Sequence, residues 1–343
     1  KLCNPPTRLN LQGACTSPRR FTPRMSKHIA VVGDAFVDIL CRGNSLPTWG
    51  ADVLLDNVGV KPGGSASNTA SHLANLARSE ATDCRVSFHS ALGADPWADV
   101  LVNHHQKSSC QSVFHHFPNP ISTGVCIVLS GKTDRAFMTS QGAMNALLIE
   151  HLDKEKLISA KHIHIGGFFS LPMLQTGLAS LIVEIRASNP SLTVSLDTNY
   201  DASEAWAKCP GLLPLLEQVD VFLPNEVEAT GISGEEDLEK AALWLASKVR
   251  PGGAVVLTIG EKGALCAEHG VDGAPWHLDA PKVTMVDSTG AGDAFNAAFL
   301  FEWVVQGASL KEAIQHGIRG GSTAVQHEGA CDTLLTSELL RNL

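Results

Sequence analysis

An α/β fold built around a mostly parallel sheet is predicted by three features of the sequence. Short β-branched apolar runs recur at 28–33, 85–93, 162–167, 192–197, 219–224 and 254–260. Most are nearly continuous in hydrophobicity, as strands buried on both faces are. Helical patterns stand between them at 66–79, 176–188, 235–249 and 292–307. Strand alternating with helix predicts three layers, with helices covering both faces of the sheet.

The first run, HIAVVG, opens the sheet, and ASNTASHLANLARS carries the chain as a helix to RVSFHSALG. HIHIGG, LTVSLD, VDVFLP and AVVLTIG follow as further strands, and GDAFNAAFLFEWVVQG supplies the long amphipathic helix near the end. Two segments break this rhythm, Leu46–Gly59 and Thr123–Gln141, and both read as antiparallel excursions. In the second, a Ser-Gly-Lys-Thr-Asp turn separates two strand-like runs, a hairpin pattern. Together they predict a small β-layer acting as a lid. Ligands of open parallel sheets gather at the carboxyl ends of the strands, so lid and motifs are expected to meet there.

The chain has 343 residues, of which 44% are hydrophobic and 18% charged, ample for a buried core. Its formal net charge of −9, with basic residues scattered, argues against a nucleic-acid partner. Nine cysteines, an odd number without CxxC spacing, fit neither a disulfide framework nor a zinc site, and suggest a reducing compartment. No stretch approaches the 18 or so apolar residues of a membrane span. A cytoplasmic protein without membrane partner is the expectation. Residues 1–26 are rich in Pro and Arg and contain no acid. They read as a disordered tail, either an organelle-targeting segment or an artefact ahead of a start at Met25, and residues 27–343 as one domain. His104-His105 and His115-His116 lack metal-ligating helical spacing and read as loop or surface residues.

Five motifs carry chemistry. In Asp287-Ser288-Thr289-Gly290-Ala291-Gly292-Asp293, a glycine-rich turn leads into a helix. Converging backbone N–H groups and the helix dipole suit a transferring phosphoryl group, and Asp293 could take a proton from an attacking hydroxyl. A helix cap after a tight turn would use the same letters. Gly63-Gly64-Ser65-Ala66-Ser67-Asn68 permits close approach of a polyhydroxy ligand, with Asn68 both donor and acceptor, or is a plain loop-to-helix junction. Asn225-Glu226-Val227-Glu228 could position magnesium near phosphates, form a capping box, or do both. Thr258-Ile259-Gly260-Glu261-Lys262-Gly263 is a strand, a tight turn and a second strand that could lie against a nucleotide. Gly33-Asp34-Ala35-Phe36-Val37-Asp38 offers a carboxylate after the first strand. Its Asp38 could bind sugar hydroxyls, or be a loop acid or cap. The Walker pattern GxxxxGK[ST] is absent.

In this order and spacing, with Asp197-Thr198-Asn199 between them, the motifs closely resemble the PfkB-type carbohydrate kinase family, of which ribokinase is the best-known member. The resemblance runs from about residue 28 to the C-terminus. It implies a ribokinase-like three-layer fold with a β-sheet lid that often forms homodimers. It also implies transfer of the ATP γ-phosphoryl group to a hydroxyl of a small sugar, with Mg²⁺. By resemblance Asp293 is the catalytic base and Gly290, Ala291 and Gly292 are the anion hole. Asp38, Gly63, Gly64 and Asn68 match substrate-binding positions. Asn225, Thr258, Gly260, Gly263 and Gly292 match ATP-binding ones, with Glu228 at magnesium, through water. Asp287 and Thr289 match positions that hold K⁺ in members activated by a monovalent cation, and Gly329-Ala330 the loop that closes that site. Phe36, Ser65, Ala98 and Ile318 depart from residues common in ribokinases, which weakens D-ribose as the substrate. A nucleoside kinase of the same fold is the nearest rival reading, and a non-catalytic scaffold a more distant one.

Overall fold

The computed structural model describes residues 27–43, 47–50, 52–130 and 135–343. The reading of residues 1–26 and the tip of the 123–141 hairpin therefore lie outside the described residues.

The strands are β1 (Lys27–Gly33), β2 (Phe36–Arg42), β3 (Asn57–Gly63), β4 (Cys84–Gly93), β5 (Gln111–Phe117), β6 (Gly124–Ser130), β7 (Arg135–Ser140), β8 (His162–Gly166), β9 (Thr193–Asp197), β10 (Val221–Phe222), β11 (Ala254–Thr258), β12 (Ala264–Glu268) and β13 (Trp276–Leu278). The helices are α1 (Ser65–Ser79), α2 (Pro96–Ser108), α3 (Lys154–Ile158), α4 (Gln175–Ser188), α5 (Leu212–Leu216), α6 (Glu226–Ser233), α7 (Leu238–Ala246), α8 (Ala291–Leu300), α9 (Leu310–Ala324) and α10 (Ser337–Arg341). A π-helical turn, Phe301–Gln306, extends α8.

The main sheet runs β13-β12-β11-β10-β9-β8-β1-β4-β5. Its strands from β11 to β5 are parallel, and β12 and β13 add an antiparallel edge. Side chains of β1 alternate between two apolar layers. Ala30 and Val32 join α3–α7 on one face. Ile29 and Val31 join α1, α2, α8 and α9 on the other. Burial on both faces explains the unbroken hydrophobic runs in the sequence. The order reverses at β1, whose neighbours are β4 on one side and β8 on the other. That is where an open α/β sheet forms a crevice at its carboxyl ends.

The lid is a second sheet, β3-β2-β6-β7. Here the structure corrects the reading in two respects. The Gly33–Asp38 segment is not a loop, because its second half is strand β2. Among the described residues of the excursion expected at 46–59, strand begins at Asn57. The lid is also not wholly antiparallel. β2 pairs parallel with β6, and β6 forms the expected antiparallel hairpin with β7. Register aligns Lys61, Asp38, Cys126 and Thr139 in one row across the lid, on its cleft face. The next row, Val60, Ile39, Ile127 and Met138, has the opposite side-chain direction.

The histidine reading is corrected too. His104 and His105 lie in α2, and His105 is fully buried. Its ring nitrogens meet the hydroxyls of Ser67 (3.1 Å) and Ser71 (3.3 Å) on α1. Desolvation pulls its pKa down to about 3, keeping it neutral. His115 and His116 belong to strand β5. The described cysteines are all free.

Candidate active site

A cleft of about 1040 Å³ opens between the lid and the carboxyl ends of the parallel strands. Its walls come from β1 (through Asp34), β2, β6, β7, β9, β11 and the starts of α1, α6 and α8.

The centre of the site is the start of α8. Gly290 is its N-cap in a left-handed conformation (φ 76°), and Ala291, Gly292 and Asp293 form the first turn. These amides are among the four that lack intrahelical partners at a helix N-terminus, and the Ala291 N–H makes only a long turn contact with the Ser288 carbonyl, 3.4 Å. A Cβ on Gly292 would meet nothing within 4 Å, so its backbone stands open to the cleft.

Asp293 is held by the first turn of α1. Ser65 Oγ donates to Asp293 Oδ1 and Asn68 Nδ2 to Oδ2, both at 2.8 Å. Each carboxylate oxygen keeps a further lone pair for another donor. Asp293 is partly exposed to the cleft, yet surrounding protein atoms displace its water, and Asp197 and Asp34 add negative charge. Burial first and those charges second push its pKa up to about 8, against the two donors.

Asp38, on β2, is half-buried and faces the cleft, and burial raises its pKa to about 6. Gly63 is not among the lining residues. It sits across from Phe36 on β3, and a Cβ there would lie 2.3 Å from the Asp38 carboxylate. The glycine makes room for that carboxylate. Gly64 lines the cleft and caps α1.

At the other end, Asn225 caps α6 and makes both halves of a capping box with Glu228. Glu228 accepts from Asn225 Nδ2 at 2.6 Å and from its backbone N–H at 3.1 Å. Glu228 is 3% exposed, and burial, then the charge of Asp197, raises its pKa. Thr258 bridges Asn225 from the end of β11 and lines the cleft. Gly260 and Gly263 bracket the turn into β12, and neither is among the lining residues. The Asp287 carboxylate accepts from Thr289 N–H (3.0 Å) and Oγ1 (2.7 Å), and from Gly329 N–H (3.0 Å). Asp287 and Thr289 are thus brought together with the loop after α9, although only Thr289 lines the cleft.

Several lining residues carried no assigned role in the sequence. Asp34, 1% exposed, takes the Ala66 N–H at 2.9 Å, and burial raises its pKa to about 7. Asp197, closing β9, accepts from Asn296 Nδ2 at 2.6 Å and from Asn199 N–H at 2.9 Å, and burial raises its pKa as well. Both stand at carboxyl ends of parallel strands, the position that could have flagged them. Asn296 and the lid residues Cys126 and Thr139 had no local signal.

The arrangement puts a carboxylate beside a row of helix-terminal amides. One wall carries the hydrogen-bonding side chains of Asp38 and Asn68, and the other carries the buried Asn225–Glu228 pair. Among the described residues no group of three or more acids, histidines or cysteines could cage a metal. Glu228 suits a hard cation that keeps waters and phosphate oxygens. No described helix is long and apolar enough to cross a membrane.

Comparison with known proteins places this geometry. Ribokinase of Lactococcus lactis is 24% identical over 88% of this chain and 92% of its own. Adenosine kinase 1 of Arabidopsis thaliana is 24% identical over 71% of this chain and 73% of its own. Among solved structures, ribokinase of Giardia lamblia superposes with TM-score 0.79 at 19% identity, covering 92% of this chain and 99% of its own. Ribokinase of Thermotoga maritima gives TM-score 0.74 at 23% identity, covering 92% and 98%. The family model described as pfkB family carbohydrate kinase matches residues 26–337, and the chain, with its ribokinase-like fold, belongs to that kinase family.

Proposed function

We propose that this protein transfers the γ-phosphoryl group of ATP to a hydroxyl of a small, uncharged sugar, with Asp293 as general base. The observation that carries this reading is the Asp293 carboxylate. It sits in the first turn of α8, beside Ala291 and Gly292, and faces the same cleft as Asp38 and Asn68. Asp38 and Asn68 would orient the acceptor so that one hydroxyl reaches Asp293. Asp293 takes that proton as the oxygen attacks phosphorus, and the phosphate's bond to ADP breaks in line. The amides of Gly290, Ala291 and Gly292 would stabilise charge on the moving group. Asn225, Thr258 and the Gly260–Gly263 turn would border the nucleotide. Glu228 would hold Mg²⁺ through water, and the ion would neutralise phosphate charge. Asp287 and Thr289, with Gly329-Ala330, would hold a potassium ion. Residues 27–343 act as one catalytic domain. Two ATP-bound relatives of this fold, an Escherichia coli protein with ATP and Mg²⁺ and Arabidopsis thaliana ribokinase with ribose and ATP, fit this reading.

The lining supports a neutral acceptor. Among the described residues it includes no Lys, Arg or His, since Lys61 beside Asp38 is paired with Asp332, while Asp34 and Asp38 stand at the acceptor end. An acidic sugar would meet like charge there. A second reading, a nucleoside acceptor, is favoured by Phe36, Phe137, Phe169 and Tyr200 on the same cleft, since aromatic faces suit a base. Phe36 is only 7% exposed and packs mainly in the core.

The test is ADP release with Mg-ATP against neutral sugars, sugar acids and nucleosides, with and without K⁺. A neutral sugar is expected to give turnover, and Asp293→Asn to lower kcat by roughly 10²–10⁴-fold with acceptor affinity little changed. Turnover only with a nucleoside moves the assignment to the second reading. Turnover that survives Asp293→Asn removes the base.

A further inference from the structure

Four consecutive residues after α9 reach four separate parts of the site. The Gly329 N–H donates to Asp287 Oδ2 at 3.0 Å. Ala330 lies so close to the Gly290 turn that a Cβ on Gly290 would come within 2.7 Å of it. Cys331 Sγ donates to Asn68 Oδ1 at 3.3 Å. Asp332 pairs with Lys61 on lid strand β3 at 2.8 Å.

His72 on α1 fixes this segment from behind. Its Nε2 donates to the Ala330 carbonyl at 2.8 Å, and its Nδ1 accepts from the Leu335 N–H at 3.2 Å. Only the neutral ring does both. Burial pulls its pKa down to about 4, so the ring stays neutral across the physiological range.

Asn68 is the link to the chemistry. A carboxamide can present either its NH₂ or its oxygen to a neighbour. Here Nδ2 faces Asp293 at 2.8 Å, and the Cys331 thiol occupies the opposite oxygen. We propose that Cys331 is a positioning residue for phosphoryl transfer, its thiol locking the Asn68 carboxamide with NH₂ toward the Asp293 carboxylate. The proposal rests on the reading of Asp293 as base. Without the thiol the amide is free to turn, and its oxygen would then accept a hydrogen bond from a protonated Asp293. The lock therefore favours the ionised, proton-accepting form. The other ionisable groups around Asp293 are Asp34 after β1, Asp38 on β2, Asp197 on β9, Glu228 on α6 and the Cys331 thiol itself, which burial keeps protonated. Burial and the charges of Asp197 and Asp34 oppose its ionisation, and the Asn68 and Ser65 donors act against them.

The experiment compares Cys331→Ala and Cys331→Ser in the wild-type and Asn68→Ala backgrounds, using the full chain. Loss of one neutral hydrogen bond predicts a kcat about 5-fold lower for Cys331→Ala. The rising limb of its pH–rate profile should move up by about 0.7 pH unit. KM for Mg-ATP should stay constant. Cys331→Ser, whose hydroxyl also donates, should recover most of the loss. In the Asn68→Ala background Cys331→Ala should add nothing, because the two act through one contact. An equal loss in both backgrounds, or a serine variant as impaired as the alanine one, would overturn the proposal. A second readout is independent of activity. The Asn68 side-chain amide NMR signals, identified by their disappearance in Asn68→Ala, should keep their hydrogen-bonded positions in Cys331→Ser and leave them in Cys331→Ala. Signals unmoved in Cys331→Ala overturn the proposal whatever the turnover. A moved signal in a chain with no acceptor-dependent turnover would instead remove the kinase reading and leave Cys331 as the residue that orients Asn68.

Discussion

Asp293, the proposed general base, shows how its surroundings retune a carboxylate. In water its pKa would leave it too weak to take a hydroxyl proton at a useful rate. In the cleft, burial and the charges of Asp197 and Asp34 raise it to about 8. The same shift costs stability. The native state holds the proton to higher pH than the unfolded chain does, so the stability contributed by the neutral acid is complete below the unfolded pKa. It is lost as pH rises through about 8. The buried histidines act in the opposite sense, but only below their unfolded value near 6.5. Between pH 7 and 9 the raised carboxyls dominate among these groups. The ligand-free protein is expected to lose Tm over that window, and Asp293→Asn to lose less. Differential scanning fluorimetry of both forms checks this. An identical decline would mean that Asp293 is already ionised at pH 7.

At the scale of elements, the junction of the Gly290 turn with α8 is the most constrained part of the site. Gly290 sits at φ 76°, and a Cβ there would lie 2.7 Å from both Ala330 Cα and Cβ. Gly290→Ala must therefore strain the backbone and push back the loop that carries Cys331. A destabilisation of about 1–3 kcal/mol is expected, with kcat reduced by more than Tm alone explains. Urea titration with parallel turnover measurements separates the two effects, and an alanine variant of wild-type activity would show that the turn need not hold this shape. The α6 junction is built differently. There the capping box between Asn225 and Glu228 serves the helix and presents a carboxylate to the cleft at the same time.

At the scale of the whole molecule, the lid carries two chemistries on opposite faces. Its cleft face aligns Lys61, Asp38, Cys126 and Thr139. Its other face aligns Val60, Ile39, Ile127 and Met138, with Val60 45% and Met138 60% exposed. An apolar row across all four strands favours pairing with a second copy of the chain, in line with the homodimer that the family resemblance implies. Light scattering after gel filtration should give a dimer mass, and Met138→Asp with Val60→Asp should return a monomer. A wild-type monomer at micromolar concentration would reject this role for the face.

The chain's order of strands and helices, and the local motifs around Asp293, Asn225 and Gly63-Gly64, were legible because each is a short-range pattern. Strands buried on both faces must be continuously apolar, and a turn that opens a helix onto an anion must be small. Asp38 was legible as a residue but not as a strand position, because β2 sits in the lid between β3 and β6, and its parallel partner β6 lies some ninety residues later in the chain. His105 looked like a surface residue because nothing nearby in sequence shows that α1 supplies two serine hydroxyls to it. The sequence by itself determined the sheet, its helices, the family and the motif that opens α8. Only the tertiary structure decided which acids share the cleft, which face of the lid lines it, and that Cys331 stands against Asn68. Those facts are contacts between segments far apart in the chain, fixed by how the layers pack.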